Sequence, residues 1–222
     1  MYSVAGVPVI YDPSSHTQRH FLKHDAAVTA MALHPDGNIV ATGQAVRRVG
    51  ADGGAGSAKV CLWDSTTMEP LAELGGEVHE HDIAAIAFSA DGSHIASVGQ
   101  DDQHTLAVWA WERGGAEAGA GEKKLVASIQ THEGAVNSLG FNPLDDSLVV
   151  VGMRFIRFYN LRESVLEEED ADLGAEGKLQ SFTSLAFTAE GEALVGCGDG
   201  SFYLFKDRHV QVRTQKRMRM CT

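Results

Sequence analysis

An apolar triplet with spacing +0, +3, +5 recurs four times in the 222 residues: Val28, Met31, Leu33; Ile83, Ile86, Phe88; Val136, Leu139, Phe141; and Phe182, Leu185, Phe187. The starts lie 55, 53 and 46 residues apart. Self-similarity at such a period marks an architecture in which one unit cannot bury its own apolar face and stacks on its neighbours. Each triplet runs into a turn: His34-Pro35-Asp36-Gly37, Ser89-Ala90-Asp91-Gly92, Asn142-Pro143-Leu144-Asp145 and Thr188-Ala189-Glu190-Gly191. Asp-Gly between apolar runs is a hairpin signal, because Gly accepts the positive φ that such turns need.

A second short apolar run follows each turn: Ile39 to Ala41, Ile95 to Val98, Leu148 to Val151 and Ala193 to Val195. A third run ends on an aromatic residue: Trp63, Trp109, Tyr159 and Phe205. Weaker fourth strands are read over Leu71 to Leu74, Leu125 to Ile129 and His209 to Val212, and that of the third unit is obscure. The runs are too short and too β-branched for helices. Four short strands per unit at a period near 46 to 55 residues imply the blades of an all-β propeller, whose inner strands are apolar on both faces because each blade packs between two others.

These units resemble the WD-repeat family, named for a Trp-Asp pair like Trp63-Asp64; the other units depart from it with Trp109-Ala110, Tyr159-Asn160 and Phe205-Lys206. In that family a His, a Ser or Thr, an Asp and the Trp form a hydrogen-bonded chain that braces the blade. The resemblance places a full structural tetrad in the second unit: His79, Ser97, Asp101 and Trp109. The first unit has His24, Thr42 and Trp63, with Val46 at the Asp position; the third keeps His132; the fourth keeps Asp199, with Lys178 in the His place. Bracing is expected to be complete in one blade only. The run Thr17-Gln18-Arg19-His20-Phe21-Leu22-Lys23-His24, with His34-Pro35-Asp36, Ala41-Thr42-Gly43-Gln44 and Cys61-Leu62-Trp63-Asp64-Ser65, is similar to the echinoderm microtubule-associated-protein-like family from about Val7 to Val212. That resemblance implies a non-catalytic scaffold on microtubules in the cytoplasm, in cilia, spindle or cortical arrays, docking through propeller surfaces. The alternative is a general WD-repeat adaptor in a non-cytoskeletal complex, since fold does not settle function.

The domain reading is the end of an upstream blade over 1–23, with strands at 7–11 and 18–22, four blades at 24–74, 79–129, 132–177 and 178–212, and a basic tail at 213–222 expected to be disordered. This is an incomplete propeller, an open arc of four blades and half of another. The family's N-terminal coiled coil, basic region and second propeller have no counterpart in these residues.

Charge and composition narrow the partners. Thirty acidic against eighteen basic residues give a net charge of −12, so nucleic acid is not an expected ligand. Tubulin is acidic as well, so this chain alone is expected to bind microtubules weakly or not at all. No apolar run approaches the ~18 residues of a membrane span, and no membrane partner is expected. Three cysteines, Cys61, Cys197 and Cys221, form no disulfide or CxxC pattern and fit a reducing compartment.

Chemical sites are scarce. His79 and His81 share a strand face if extended, but no third ligand is spaced to join them, so no metal is expected. No Gly-x-Ser-x-Gly occurs, and Ser57, Ser93 and Ser201 lack an activating partner nearby, so no catalysis and no cofactor are expected. Gly50 to Gly56 lacks the Gly-Lys-Ser/Thr of a phosphate loop and is read as an insertion, as is Glu112 to Lys124. Glu163 to Glu176 holds seven acidic residues and no basic one; it is read as a solvated loop, with a docking patch for a basic partner as the sharper alternative. Trp111, two residues past Trp109, is expected in packing rather than at a contact surface.

Overall fold

The computed structural model describes residues 1–46, 58–112, 123–145, 147–175 and 177–214. The expected insertion at 50–56, positions 113–122 of the one expected over Glu112 to Lys124, and the tail from 215 onward lie outside them, whereas Lys123 and Lys124 open a strand instead of closing a loop. No helix occurs among the described residues. Among these residues nineteen strands form five antiparallel sheets. The first sheet contains β1 (Tyr2–Val4), β2 (Val7–Asp12) and β3 (Thr17–His20). The first blade follows as β4 (Val28–Leu33), β5 (Ile39–Gln44), β6 (Val60–Asp64) and β7 (Pro70–Leu74). The second is β8 (Ile83–Phe88), β9 (His94–Gly99), β10 (Thr105–Trp111) and β11 (Lys123–Gln130). The third is β12 (Val136–Phe141), β13 (Leu148–Gly152), β14 (Phe155–Arg162) and β15 (Val165–Asp170), and the fourth β16 (Phe182–Phe187), β17 (Ala193–Cys197), β18 (Phe202–Lys206) and β19 (His209–Thr214). Within every blade the strands pair in chain order, the meander that short turns dictate.

Local chemistry repeats with the units. The pairing of first and second strand slips at one place in all four blades, after Val28, Ile83, Val136 and Phe182. A bulge there raises the local twist, which each blade needs as it fans outward. At the turns, Gly37, Gly92 and Gly191 sit at φ 76°, 75° and 77° and donate back to His34, Ser89 and Thr188 carbonyls at 2.9, 3.0 and 3.1 Å. Stacking of blades is equally close: a Cβ on Gly43 would lie 2.6 Å from Ile83 of the next blade, so the first residue of β8 requires that glycine.

The core is a series of seams. Ile39, Ala41 and Leu62 of the first blade meet Ile83, Ile95 and Trp109 of the second. Val98, Leu106 and Val108 then meet Leu139, Leu148 and Tyr159, and Val149, Val151 and Ile156 meet Phe182, Val195 and Tyr203. The first sheet is seamed to the first blade by Ile10 and Phe21 against Val40, Cys61 and Trp63. Among the described residues the first and last sheets share no extended packing, so the stack is an open arc, an incomplete WD-type propeller. Its last face shows this directly. Positions matching Ala41, Ala96 and Val149, all buried, are occupied in the fourth blade by Leu194, 37% exposed; Val60, Leu106 and Ile156 are likewise buried where Phe202 is 39% exposed.

Three readings of the sequence change. The upstream sheet has three strands, not two; β1 was hidden because its turn into β2 uses Ala5 at φ 51° beside Gly6 rather than a recognisable turn pair. The acidic stretch is not a loop throughout. Glu163 and Ser164, at φ 49° and 83°, make a tight turn, and Val165–Asp170 form the missing fourth strand β15, pairing with β14 and burying Leu166. Its charge is met by arginines: Arg157 pairs with Glu168 at 2.7 Å and with Asp170, Arg162 with Glu167 at 3.4 Å, and Arg208 with Glu169 at 3.2 Å. Arg213 and Thr214, read as tail, close β19.

Candidate functional site

In the first two blades the residues singled out by the repeat gather along the buried second strand. In the first blade they form a continuous chain. Trp63 Nε1–H donates to Thr42 Oγ1 at 3.1 Å, Thr42 Oγ1 lies 2.7 Å from His24 Nε2, and His24 Nδ1 lies 2.9 Å from Gln44 Oε1. Gln44 Nε2–H donates to the Asp25 carboxylate at 2.7 Å. The anchor decides every proton in the row. A carboxylate only accepts, so the Gln44 amide must turn its NH₂ to Asp25 and its oxygen to His24. That oxygen requires His24 Nδ1–H, which leaves Nε2 a lone pair to accept the Thr42 hydroxyl. Gln44, 1% exposed, is the residue that sequence reasoning missed. The expected Asp position holds Val46, whose N–H binds Asp82 Oδ1 of the next blade at 2.7 Å. A polar residue ending the fully buried strand Ile39–Gln44 is the available signal.

The second blade is different. Trp109 Nε1–H donates to Ser97 Oγ at 3.2 Å, and Ser97 Oγ lies 2.7 Å from His79 Nε2. Asp101 does not complete the row: Oδ1 accepts the Thr105 N–H at 2.7 Å and Oδ2 the Thr105 hydroxyl at 2.5 Å. His79 Nδ1 is buried and finds no partner among the described residues. Burial holds the His79 imidazole down to about 4, against the pull of the Asp101 charge. Burial also opposes the Asp101 charge, but the Thr105 hydroxyl and amide outweigh it and keep the carboxyl below its usual range. Burial likewise lowers His24, partly offset by the Gln44 hydrogen bond.

The third and fourth blades have no hydroxyl at this register, since Val150 and Val195 replace Thr42 and Ser97. His132 stacks on Phe155 with centroids 4.4 Å apart and accepts the Gly134 N–H at Nδ1, 2.8 Å away. Asp199 caps its turn, accepting the N–H and hydroxyl of Ser201 at 2.9 and 2.5 Å. The Tyr203 hydroxyl, pointing where a small Cys61 or Ala107 leaves room in the first two blades, accepts the Lys178 N–H at 3.1 Å.

These groups support packing better than reaction chemistry. His24 and His79 are tied to neighbouring hydroxyls, and burial pushes the Cys61 thiol up to about 12, far from a reactive thiolate. Among the described residues no group of three His, Cys, Asp or Glu could hold a metal ion. Two seams open to the surface. A polar groove of about 310 Å³ between the third and fourth blades is lined by Asn142, Asn160, Glu169 and Arg208. A more apolar one, of about 570 Å³, lies over Trp109 beside Leu74 and Leu125.

Compared with known proteins, residues 17–220 match the family model for the echinoderm microtubule-associated protein first β-propeller. The chain belongs to that family. The 77 kDa echinoderm microtubule-associated protein of Strongylocentrotus purpuratus is 31% identical over 208 residues, covering 92% of this chain and 29% of that protein. Echinoderm microtubule-associated protein-like 4 of Xenopus laevis is 30% identical over 219 residues, covering 97% of this chain and 22% of that protein. The chain therefore spans under a third of the curated relatives it matches. Among solved structures, the Cps50 (Swd1) propeller of Myceliophthora thermophila aligns with a TM-score of 0.65 at 16% identity, over 85% of this chain and 55% of that one. Sqt1 of Chaetomium thermophilum, solved bound to the N-terminus of ribosomal protein L10, aligns with a TM-score of 0.60 at 21% identity, over 80% of this chain and 45% of that one. At those identities the likeness concerns fold alone.

Proposed function

We propose that this chain is a non-catalytic scaffold of the microtubule cytoskeleton, presenting one part of a propeller as a docking surface. The observation that carries the reading is membership of the echinoderm microtubule-associated protein family over residues 17–220. An arc of stacked sheets whose polar groups serve hydrogen-bonded seams is consistent with recruitment rather than bond chemistry. Its location is the cytoplasmic cytoskeleton, with ciliary or spindle arrays as the finer assignment. The net charge of −12 opposes tubulin at long range, so affinity for the lattice resides largely outside this arc.

Two measurements test this. In a pull-down on the immobilised chain, proteins of the microtubule cytoskeleton other than tubulin itself should dominate; a soluble non-cytoskeletal complex in their place overturns the cytoskeletal reading in favour of a general adaptor. In co-sedimentation with stabilised microtubules at physiological salt, the isolated chain should stay mostly in the supernatant. Robust pelleting overturns the assignment of affinity elsewhere.

A further inference from the structure

The seam before the first blade and the seam after it contain the same indole and close it differently. At the first, the residue just past the outer strand β3 is Phe21. Its N–H bonds the Pro8 carbonyl at 3.0 Å, its ring is fully buried, and it stacks on Trp63 with centroids 4.6 Å apart and planes 12° from parallel. At the second seam that register belongs to Leu74, paired with Val60, in the same core cluster as Trp109. A leucine has no ring to lay on an indole. Two residues, Leu22 and Lys23, then lead from Phe21 to His24, whereas four, Gly75 to Val78, lead from Leu74 to His79. The longer path folds back, with Val78 and His79 N–H both on the Gly75 carbonyl at 2.8 and 3.0 Å. It leaves the groove of about 570 Å³ against Trp109, walled by Leu74, Gly75, Gly76, Val78 and Leu125. Trp109 is 8% exposed where Trp63 is 0%, and Leu125 is 38% exposed.

We propose that this groove binds an aromatic side chain, Phe or Tyr, carried by a basic peptide segment of a protein partner. The incoming ring takes on Trp109 the place that Phe21 takes on Trp63, so the chain contains its own template for the complex. Offset or parallel stacking on an indole adds to the burial of apolar area. The paired glycines leave the wall open to a peptide backbone. At the rim, Lys59 is bridged to Glu73 at 2.8 Å, and the exposed Glu77 makes the mouth acidic, which selects lysine or arginine beside the ring. The site stands independently of microtubule association.

The test titrates the whole chain with the blocked peptide Gly-Lys-Phe-Lys-Gly while following the three indole N–H signals of Trp63, Trp109 and Trp111 by NMR. The Trp109 signal should shift saturably while Trp63 stays still. Replacing the peptide's Phe by Ala should weaken binding at least about tenfold. Leu74→Phe, which rebuilds the first seam's ring in the second, should abolish it, and Glu77→Lys should weaken it severalfold. No Trp109 shift up to about 1 mM peptide, or undiminished binding to Leu74→Phe, overturns the proposal. If Leu74→Phe loses the dispersed Trp63 signal and has not folded, the peptide pair decides: equal affinity for the Phe and Ala peptides overturns it.

Discussion

The first and second blades share the order His, hydroxyl, Trp, yet only the first carries the row of hydrogen bonds to an anchor. There Asp25 orients Gln44, Gln44 orients His24, and the direction of each proton follows to the Trp63 indole. In the second the expected anchor, Asp101, turns to Thr105, and His79 Nδ1 has no partner among the described residues. The Trp face differs in parallel: Phe21 seals Trp63, and a groove borders Trp109. One repeat is thus closed at both ends of the row, by Asp25 at one and by Phe21 of the preceding sheet at the other, and the next is open at both. Matching residue types at matching positions do not ensure matching contacts; a two-residue change in a connecting path separates a sealed seam from an accessible one.

The sharpest way to break this contrast is at the indoles. Trp63→Ala removes a fully buried, stacked and hydrogen-bonded ring and should cost about 3–5 kcal/mol. Trp109→Ala should cost less, nearer about 3 kcal/mol, because its ring already borders an open groove and its removal leaves less new enclosed cavity. Denaturant midpoints, with amide exchange in β6 and β10 to localise the effect, check the order; equal costs would mean the two seams are equally tight.

Acid should separate the two histidines. His79 is held neutral, down to about 4, against an ordinary value of 6.5. Between those values the unfolded chain takes up a proton that the folded one refuses, so stability is complete above pH 6.5 and falls as pH drops towards 4. The loss at this site reaches about 3 kcal/mol. His24 is lowered too, but the Gln44 hydrogen bond works against that shift. His79→Gln should therefore flatten the melting temperature between pH 7 and 4.5 more than His24→Gln does.

The anchors come next. Gln44→Ala strands both the His24 Nδ1–H and a bond to Asp25, for about 1–3 kcal/mol, whereas Asp101→Ala removes a turn cap for about 1 kcal/mol. A larger cost for Asp101→Ala, read from the same unfolding curves, would restore the carboxylate to the bracing row. Least of all, Glu167→Gln in β15 should change stability by under about 0.5 kcal/mol, since its arginine pair is exposed; a larger loss would mark the acidic strand as structurally central.

Legibility followed the chemistry of each segment. The apolar triplets, Asp-Gly turns and terminal aromatics marked strands at once, because burial on both faces and positive φ restrict residue choice. β15 was illegible because an outer strand needs only Leu166 inward, and its turn uses Glu163 and Ser164 instead of Asn-Gly. Gln44 was overlooked because a neutral amide can do the work of a carboxylate when another residue, Asp25, supplies the charge behind it. Asp101 has the expected residue type at the expected position, but Thr105 offers it two donors at once and wins.

The sequence by itself determined the repeat, the all-β stack and the family, because period, turn residues and apolar faces are properties of neighbouring residues. Tertiary structure alone decided which histidine is anchored, which indole is sealed and which acidic side chains are neutralised. Those outcomes depend on where side chains from different strands and blades meet, and a shift of two residues between strands is enough to move a ring or a proton.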